Sequence, residues 1–184
     1  MLDNDPAVAQ FLASVERRAF RMAEIATGNT EDALDIVQDA MFGLVRRYAS
    51  KPESEWGALF FRILESRIRD WYRRTKVRNR WRAWLHDWRG RDDPNDQEDP
   101  MATLADPAGR DPADEVARAG SIAALEDALR KLPLRQQQAF LLRVWQDMSV
   151  AETAATMKCS EGSVKTHYSR AVHMLRKVLE NTES

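Results

Sequence analysis

The stretch Leu132–Leu179, LPLRQQQAFLLRVWQDMSVAETAATMKCSEGSVKTHYSRAVHMLRKVL, reads as two helices around a tight turn, the second keeping one polar face free. In that second helix Val164, Tyr168, Ala171, Leu175 and Val178 recur at three-to-four-residue spacing and form one inward stripe. Lys165, Thr166, Ser169, Arg170 and His173 fall on the other side. Ser160 is placed as N-cap, and the Gly162-Ser163 start leaves little bulk where backbone amides could hold a phosphate oxygen. The preceding helix is expected over Val150–Met157, with Met148 or Ser149 near its start and Ala151, Ala154 and Ala155 allowing a close crossing. An ordinary amphipathic hairpin would show the same stripe. The basic outer face and the small-residue crossing favour a DNA-reading helix-turn-helix.

Working outward, the rest of the 184 residues also lacks strand signals. Runs such as EDALDIVQDAMFGLVRRY and EWGALFFRILESRIRDWYRR have helical spacing, so the expected fold is all-α, with two small helical domains rather than one. Net charge is −1, which on its face argues against nucleic acid, but the average conceals segregation. From Arg62 to Arg91 eleven Arg and Lys residues face only Glu65, Asp70 and Asp87. The following RDDPNDQEDPMATLADPAGRDPADE is acidic, rich in Pro and poor in large apolar residues, and reads as a linker. A lone cysteine, Cys159, excludes an internal disulfide, and His86, His167 and His173 offer no metal-ligand spacing. Neither a metal nor a cofactor is expected. No signal region or run of about 20 apolar residues is present, so the expectation is a soluble cytoplasmic protein without membrane insertion.

In the N-terminal half a first helix is expected from Pro6 to Ala26, with Val8, Phe11, Leu12, Val15, Ala19 and Met22 buried. Gly28 and Asn29 end it, and Thr30 is expected to cap a second helix whose inner stripe is Ala33, Ile36, Val37, Ala40, Met41, Leu44 and Val45. Asp32, Asp35 and Asp39, with Gln38 close by, lie on its outer side and suggest a partner surface, though a solvated face would look alike. The third helix, opening with Glu55-Trp56, interleaves aromatics with arginines, a pattern suited to single-stranded nucleic acid, where rings stack on bases and guanidinium groups hold phosphates. Leu59, Ile63 and Ile68 are expected in the core, so Trp56, Phe60, Phe61, Trp71 and Tyr72 cannot all be free. No phosphate loop, nucleophile with a base, or paired-acid pocket emerges, and an enzyme is not expected.

An acidic-faced helix, an arginine and aromatic helix, an acidic linker and a C-terminal helix-turn-helix, in that order, resemble bacterial RNA polymerase sigma factors of the sigma-70 family, extracytoplasmic-function (ECF) group. EDALDIVQDAMF is similar to the family's polymerase-binding pattern D-A-x-D-x-V-Q-E-x-F, with Asp32, Ala33, Asp35, Val37, Gln38, Asp39 and Phe42 in its places. The resemblance makes Asp32, Asp35, Gln38, Asp39 and Phe42 candidate contacts to core RNA polymerase. WGALFFRILES resembles the helix that reads the opened minus-ten element, with Leu59 where Trp is common and Ser66 where Asn is common. The minus-ten candidates are accordingly Trp56, Phe60, Phe61, Arg62, Arg69, Trp71, Arg73 and Arg74.

The C-terminal run aligns without a gap to the family's L-P-x-R, G-L-S-x-x-E-I-A and S-x-G-T-V-K-S-R-x-x-R-A patterns. Asp147 replaces the usual Gly, Thr153 the usual Ile, and His167 stands where Arg is common. By resemblance Lys165, Thr166, Ser169 and Arg170 read the minus-thirty-five element, while Arg135 and Arg143 hold phosphates. The implied organisation is a region 2-like domain over residues 1–85, an acidic linker over 86–119 that either mimics nucleic acid inside the polymerase or is a plain solubilising tether, and a region 4-like domain over 120–184. Promoter DNA, core polymerase and an anti-sigma protein are the implied partners. A stand-alone helix-turn-helix regulator is the alternative reading, but it leaves the aromatic-arginine helix unexplained.

Overall fold

The computed structural model of the chain describes residues 6–89 and 113–182. Among these residues every regular element is a helix: α1 (Pro6–Thr27), α2 (Thr30–Tyr48), α3 (Glu53–Arg89), α4 (Ala113–Lys131), α5 (Leu134–Val144), α6 (Val150–Met157) and α7 (Glu161–Thr182). Helices α1, α2 and the first half of α3 pack together as one bundle, and α4 to α7 as another, with α3 touching α6 and α1 touching α4 and α5.

The first bundle closes on the stripes expected from the sequence. Val8, Val15, Ala19 and Met22 of α1 and Ala33, Ile36, Val37, Ala40 and Leu44 of α2 are all buried. Gly43 lies where α2 meets α3: a Cβ there would stand 3.2 Å from Ile63 Cγ2, so its absence permits the approach. Between α1 and α2, Gly28 adopts φ 65° and lets the chain reverse. The cap of α2 is Asn29 rather than Thr30, because the Asn29 carboxamide oxygen accepts from the Asp32 amide at 2.9 Å.

Helix α3 is about 55 Å long at 1.5 Å per residue, longer than the first bundle needs. Phe60, Leu64 and Ile68 are buried on it, whereas Val77 and Trp81, further along, are exposed. Helix reaches into both ends of the expected linker over 86–119, since α3 runs on through Arg89 and α4 begins at Ala113. The acidic stretch between them lies outside the described residues.

In the second bundle Ser149 caps α6 through a full capping box with Glu152: the Ser149 hydroxyl accepts from the Glu152 amide, and the Glu152 carboxylate accepts from the Ser149 amide. That pairing holds the Glu152 carboxyl below its ordinary pKa. The close crossing uses fewer alanines than expected. Ala154 is buried, joined by Thr153, Thr156 and Met157, while Ala151 and Ala155 face solvent. Asp147 and Lys158 both sit in the left-handed region, at φ 50° and 53°. Asp147 occupies the place where the family pattern has Gly, and the backbone there shows why Gly suits it.

Candidate nucleic-acid and polymerase interfaces

Helix α7 buries the expected stripe and leaves its polar face exposed. Ser160 Oγ accepts from the Ser163 amide at 3.1 Å and so caps the helix, while Val164, Ala171 and Leu175 are buried beneath. Lys165, Thr166, Ser169 and Arg170 all stand exposed on the opposite side. The Thr166 hydroxyl donates back to the Gly162 carbonyl at 3.0 Å. A Cβ on Gly162 would meet only Ser160 Oγ, at 3.8 Å, so nothing inside the protein requires glycine there and the helix start is open to a ligand.

The two arginines expected to hold phosphates have internal partners. Arg135 Nη1 donates to the Met157 carbonyl at 2.8 Å. Arg143 donates to the Met148 carbonyl and lies over the Tyr168 ring, 5.9 Å from its centroid. Both guanidinium groups therefore tie the helix-turn-helix together.

The minus-ten candidates divide by burial. Trp56, Phe60 and Phe61 are 3%, 0% and 4% exposed, and this corrects the expectation that they stack on bases. The Trp56 indole donates to the Tyr48 carbonyl at 3.2 Å, and Phe11, Trp56, Phe60 and Phe61 form a chain of tilted and edge-on rings. Arg62, Arg73 and Arg74 are exposed, whereas Arg69 and Trp71 are half-buried. The Arg73 guanidinium pairs with Asp70 on its own helix.

On α2, Asp35, Gln38, Asp39 and Phe42 occupy positions i, i+3, i+4 and i+7 and share one exposed face, with Asp32 half-buried at its upper edge. Phe42 is 72% exposed, an apolar ring one turn beyond Asp39. Asp39 stands 3.9 Å from Arg67 of α3, a loose surface pair.

The sequence reading missed Glu65. This residue is fully buried on α3, at the seam where the Gln138 side chain of α5 meets it, with Arg69 and Arg135 nearby. Burial pushes its carboxyl up to about 7, and the pull of Arg69, Gln138 and Arg135 offsets only part of that. The available signal was its place on the apolar stripe Phe61, Leu64, Glu65, Ile68. Because the folded carboxyl holds its proton more tightly than the unfolded one, its contribution is fully present below about pH 4.5. It is lost progressively as pH rises to about 7, a total of about 3 kcal/mol at most. Glu65→Gln should therefore flatten the decline in stability over that window and leave the protein more stable than the parent at pH 8. Urea unfolding at a series of pH values checks this, and an unchanged pH profile would refute it.

Comparison with known proteins fits this geometry half by half. A model of sigma-70 region 2 matches residues 7–78, and a model of sigma-70 region 4 matches residues 122–175. The RNA polymerase sigma-E factor of Streptomyces avermitilis is 30% identical over 174 residues, covering 95% of this chain and 86% of that protein. The chain belongs to the sigma-70 family, in its ECF group. The sigma-E factor of Streptomyces antibioticus is 33% identical over 152 residues, 83% of this chain and 73% of its own, and the ECF sigma factor SigM of Mycobacterium tuberculosis is 28% identical over 94% and 77%. Among solved structures, CnrH bound to the cytosolic domain of CnrY has a TM-score of 0.62 at 19% identity, covering 97% of this chain and 91% of that one. The sigma factor RpoE with the anti-sigma factor NepR, from Bartonella quintana, has a TM-score of 0.59 at 22% identity over 93% and 97%. These likenesses establish the fold of this sigma factor. Matches to both halves leave the stand-alone regulator without support.

Proposed function

We propose that this sigma factor docks on core RNA polymerase through the α2 face of Asp35, Gln38, Asp39 and Phe42, with Asp32 at its edge, and brings it to promoters through two DNA contacts. The observation that carries the docking surface is Phe42, an exposed ring that continues the exposed row of Asp35, Gln38 and Asp39 at helical spacing. Arg62, Arg69, Trp71, Arg73 and Arg74 of α3 would meet the minus-ten single strand. Lys165, Thr166, Ser169 and Arg170 of α7 would meet the minus-thirty-five duplex. Each contact is modest, and the polymerase converts them into one event by raising the effective concentration of the second once the first is made.

This role is that of a directing subunit rather than a catalyst, exercised in the cytoplasm, where the polymerase works. Among the described residues no helix is long and apolar enough to cross a membrane. An anti-sigma protein belongs to this reading as a regulatory partner, since CnrH and RpoE were each solved with a bound partner.

The test is promoter-specific transcription with purified core polymerase and the Asp35→Arg/Asp39→Arg variant. Both side chains are exposed, so folding should be unaffected. Reversing charges at an interface costs on the order of 2–5 kcal/mol, and transcription should fall about 30-fold or more. Undiminished transcription would remove α2 as the docking face.

A further inference from the structure

A cleft of about 730 Å³ opens between the two halves, walled by α3 on one side and by α5, the end of α6 and α7 on the other. Arg69, Arg73, Arg135, Lys158 and Arg170 line it with one lining carboxylate, Asp70, while the Glu65 carboxyl lies buried near Arg69 and Arg135, pushed up to about 7. Asp70 is already engaged with Arg73. Arg69 and Arg135 converge on one acceptor, the Met157 carbonyl, at 3.3 and 2.8 Å, so two guanidinium groups from different halves are held side by side. Burial first and Arg135 second lower the pKa of Arg69, with Glu65 and Asp70 pulling the other way. His167, also on the wall, is lowered by burial and by Arg135 and Arg170, which keeps it a neutral hydrogen-bonding group near pH 7.

Arg69, Arg73 and Arg170 are also assigned to promoter DNA above, but a duplex does not account for their meeting with Arg135 and Lys158 in one cleft. A duplex is a rod that presents its phosphates along a convex surface, and it cannot deliver several of them into one concave space. The cleft has instead the volume of a small-molecule site, which typically runs about 300–1,000 Å³.

We propose that this cleft binds a compact polyphosphate anion, a chain of two or three phosphoryl groups either bare or carried by a nucleoside, and that the anion clamps the two halves together. Arg69 and Arg73 hold it from α3, while Arg135, Lys158 and Arg170 hold it from the helix-turn-helix. Fork-shaped guanidinium donors suit phosphate oxygens, and each arginine keeps donors beyond the one spent on a carbonyl. Tyr72, half-buried on the same wall, offers a ring on which a base could stack. A ligand gripped from both sides stabilises the closed arrangement by mass action. On the promoter reading given above, the halves must part to reach elements about 25 base pairs, or roughly 85 Å, from each other, so the anion opposes promoter engagement.

The experiment is calorimetric titration of the full chain, without polymerase, with inorganic tripolyphosphate at 150 mM salt. Saturable binding of one anion per chain is expected, with a Kd of about 1–100 µM. Lys158→Asn removes a cation while keeping a residue type that accepts φ near 53°, and should weaken binding about tenfold. Lys177→Asn makes the same charge change on exposed α7 surface away from the cleft and should leave binding unchanged. Asp70→Asn frees Arg73 and should tighten binding severalfold. ATP in place of tripolyphosphate separates the two sources: tighter binding assigns a nucleotide, and equal or weaker binding assigns the bare chain. Absent or unsaturable binding overturns the proposal, as does equal weakening by Lys158→Asn and Lys177→Asn. Because no polymerase or promoter enters the titration, its result stands apart from that of the transcription assay.

Discussion

Phe60→Ala is expected to lower the unfolding free energy by about 3–5 kcal/mol, the cost of removing a large ring from a core that cannot collapse around the gap. Phe60 has no exposed surface and meets Phe11 and Phe61 edge-on, at centroid distances of 6.1 and 5.3 Å. Those contacts join α1 to α3, so the loss falls on the packing that holds the first bundle. Phe42→Ala supplies the contrast: its ring is 72% exposed, and removing it should change stability by less than about 0.5 kcal/mol. Chemical unfolding of both variants decides the matter. A Phe60→Ala protein as stable as its parent would mean that the ring is not core and is free to meet DNA after all.

The second large effect belongs to α7. Lys165→Ala and Arg170→Ala should leave stability nearly unchanged, since both side chains are exposed, while each lowers affinity for a minus-thirty-five duplex. If a side chain makes a bidentate contact to guanine, its loss costs about 1–3 kcal/mol and relaxes preference at one base pair. If it holds a phosphate, binding weakens alike for all sequences and the slope of log affinity against log salt falls by about one. Titrations of cognate and altered duplexes at several salt concentrations, with polymerase present, separate these cases. Unaltered binding in both variants would show that the reading surface lies elsewhere.

Helix positions were legible in the sequence wherever an apolar stripe had to be buried, as in α1, α2 and α7, because 3.6-residue spacing leaves one solution. The α6 span also followed from Ser149 and Glu152, a capping box written in plain residues. Aromatic residues on α3 were not legible in the same way. Trp56, Phe60 and Phe61 lie beside arginines in sequence, yet a helix turns each successive residue by about 100°, and only packing against α1 and α2 reveals which arc of α3 is covered. Arg135 and Arg143 illustrate a related limit. Their charge suggested phosphates, but their nearest acceptors are carbonyls brought close by the α6 turn, which is a tertiary fact. Glu65 is harder still, since a carboxylate in an arginine-rich segment reads as exposed until the second bundle closes over it.

The exposed ring of Phe42, with Leu34 also exposed on α2, carries one more consequence. Apolar surface that is wet before docking and dry afterwards gives association a negative heat-capacity change. The attraction it supplies weakens on cooling, whereas attraction from the neighbouring aspartates does not share that temperature dependence. Factors that compete for one polymerase through different mixtures of ring and charge would then hold different shares of it in cold and in warm cells, with no change in their amounts.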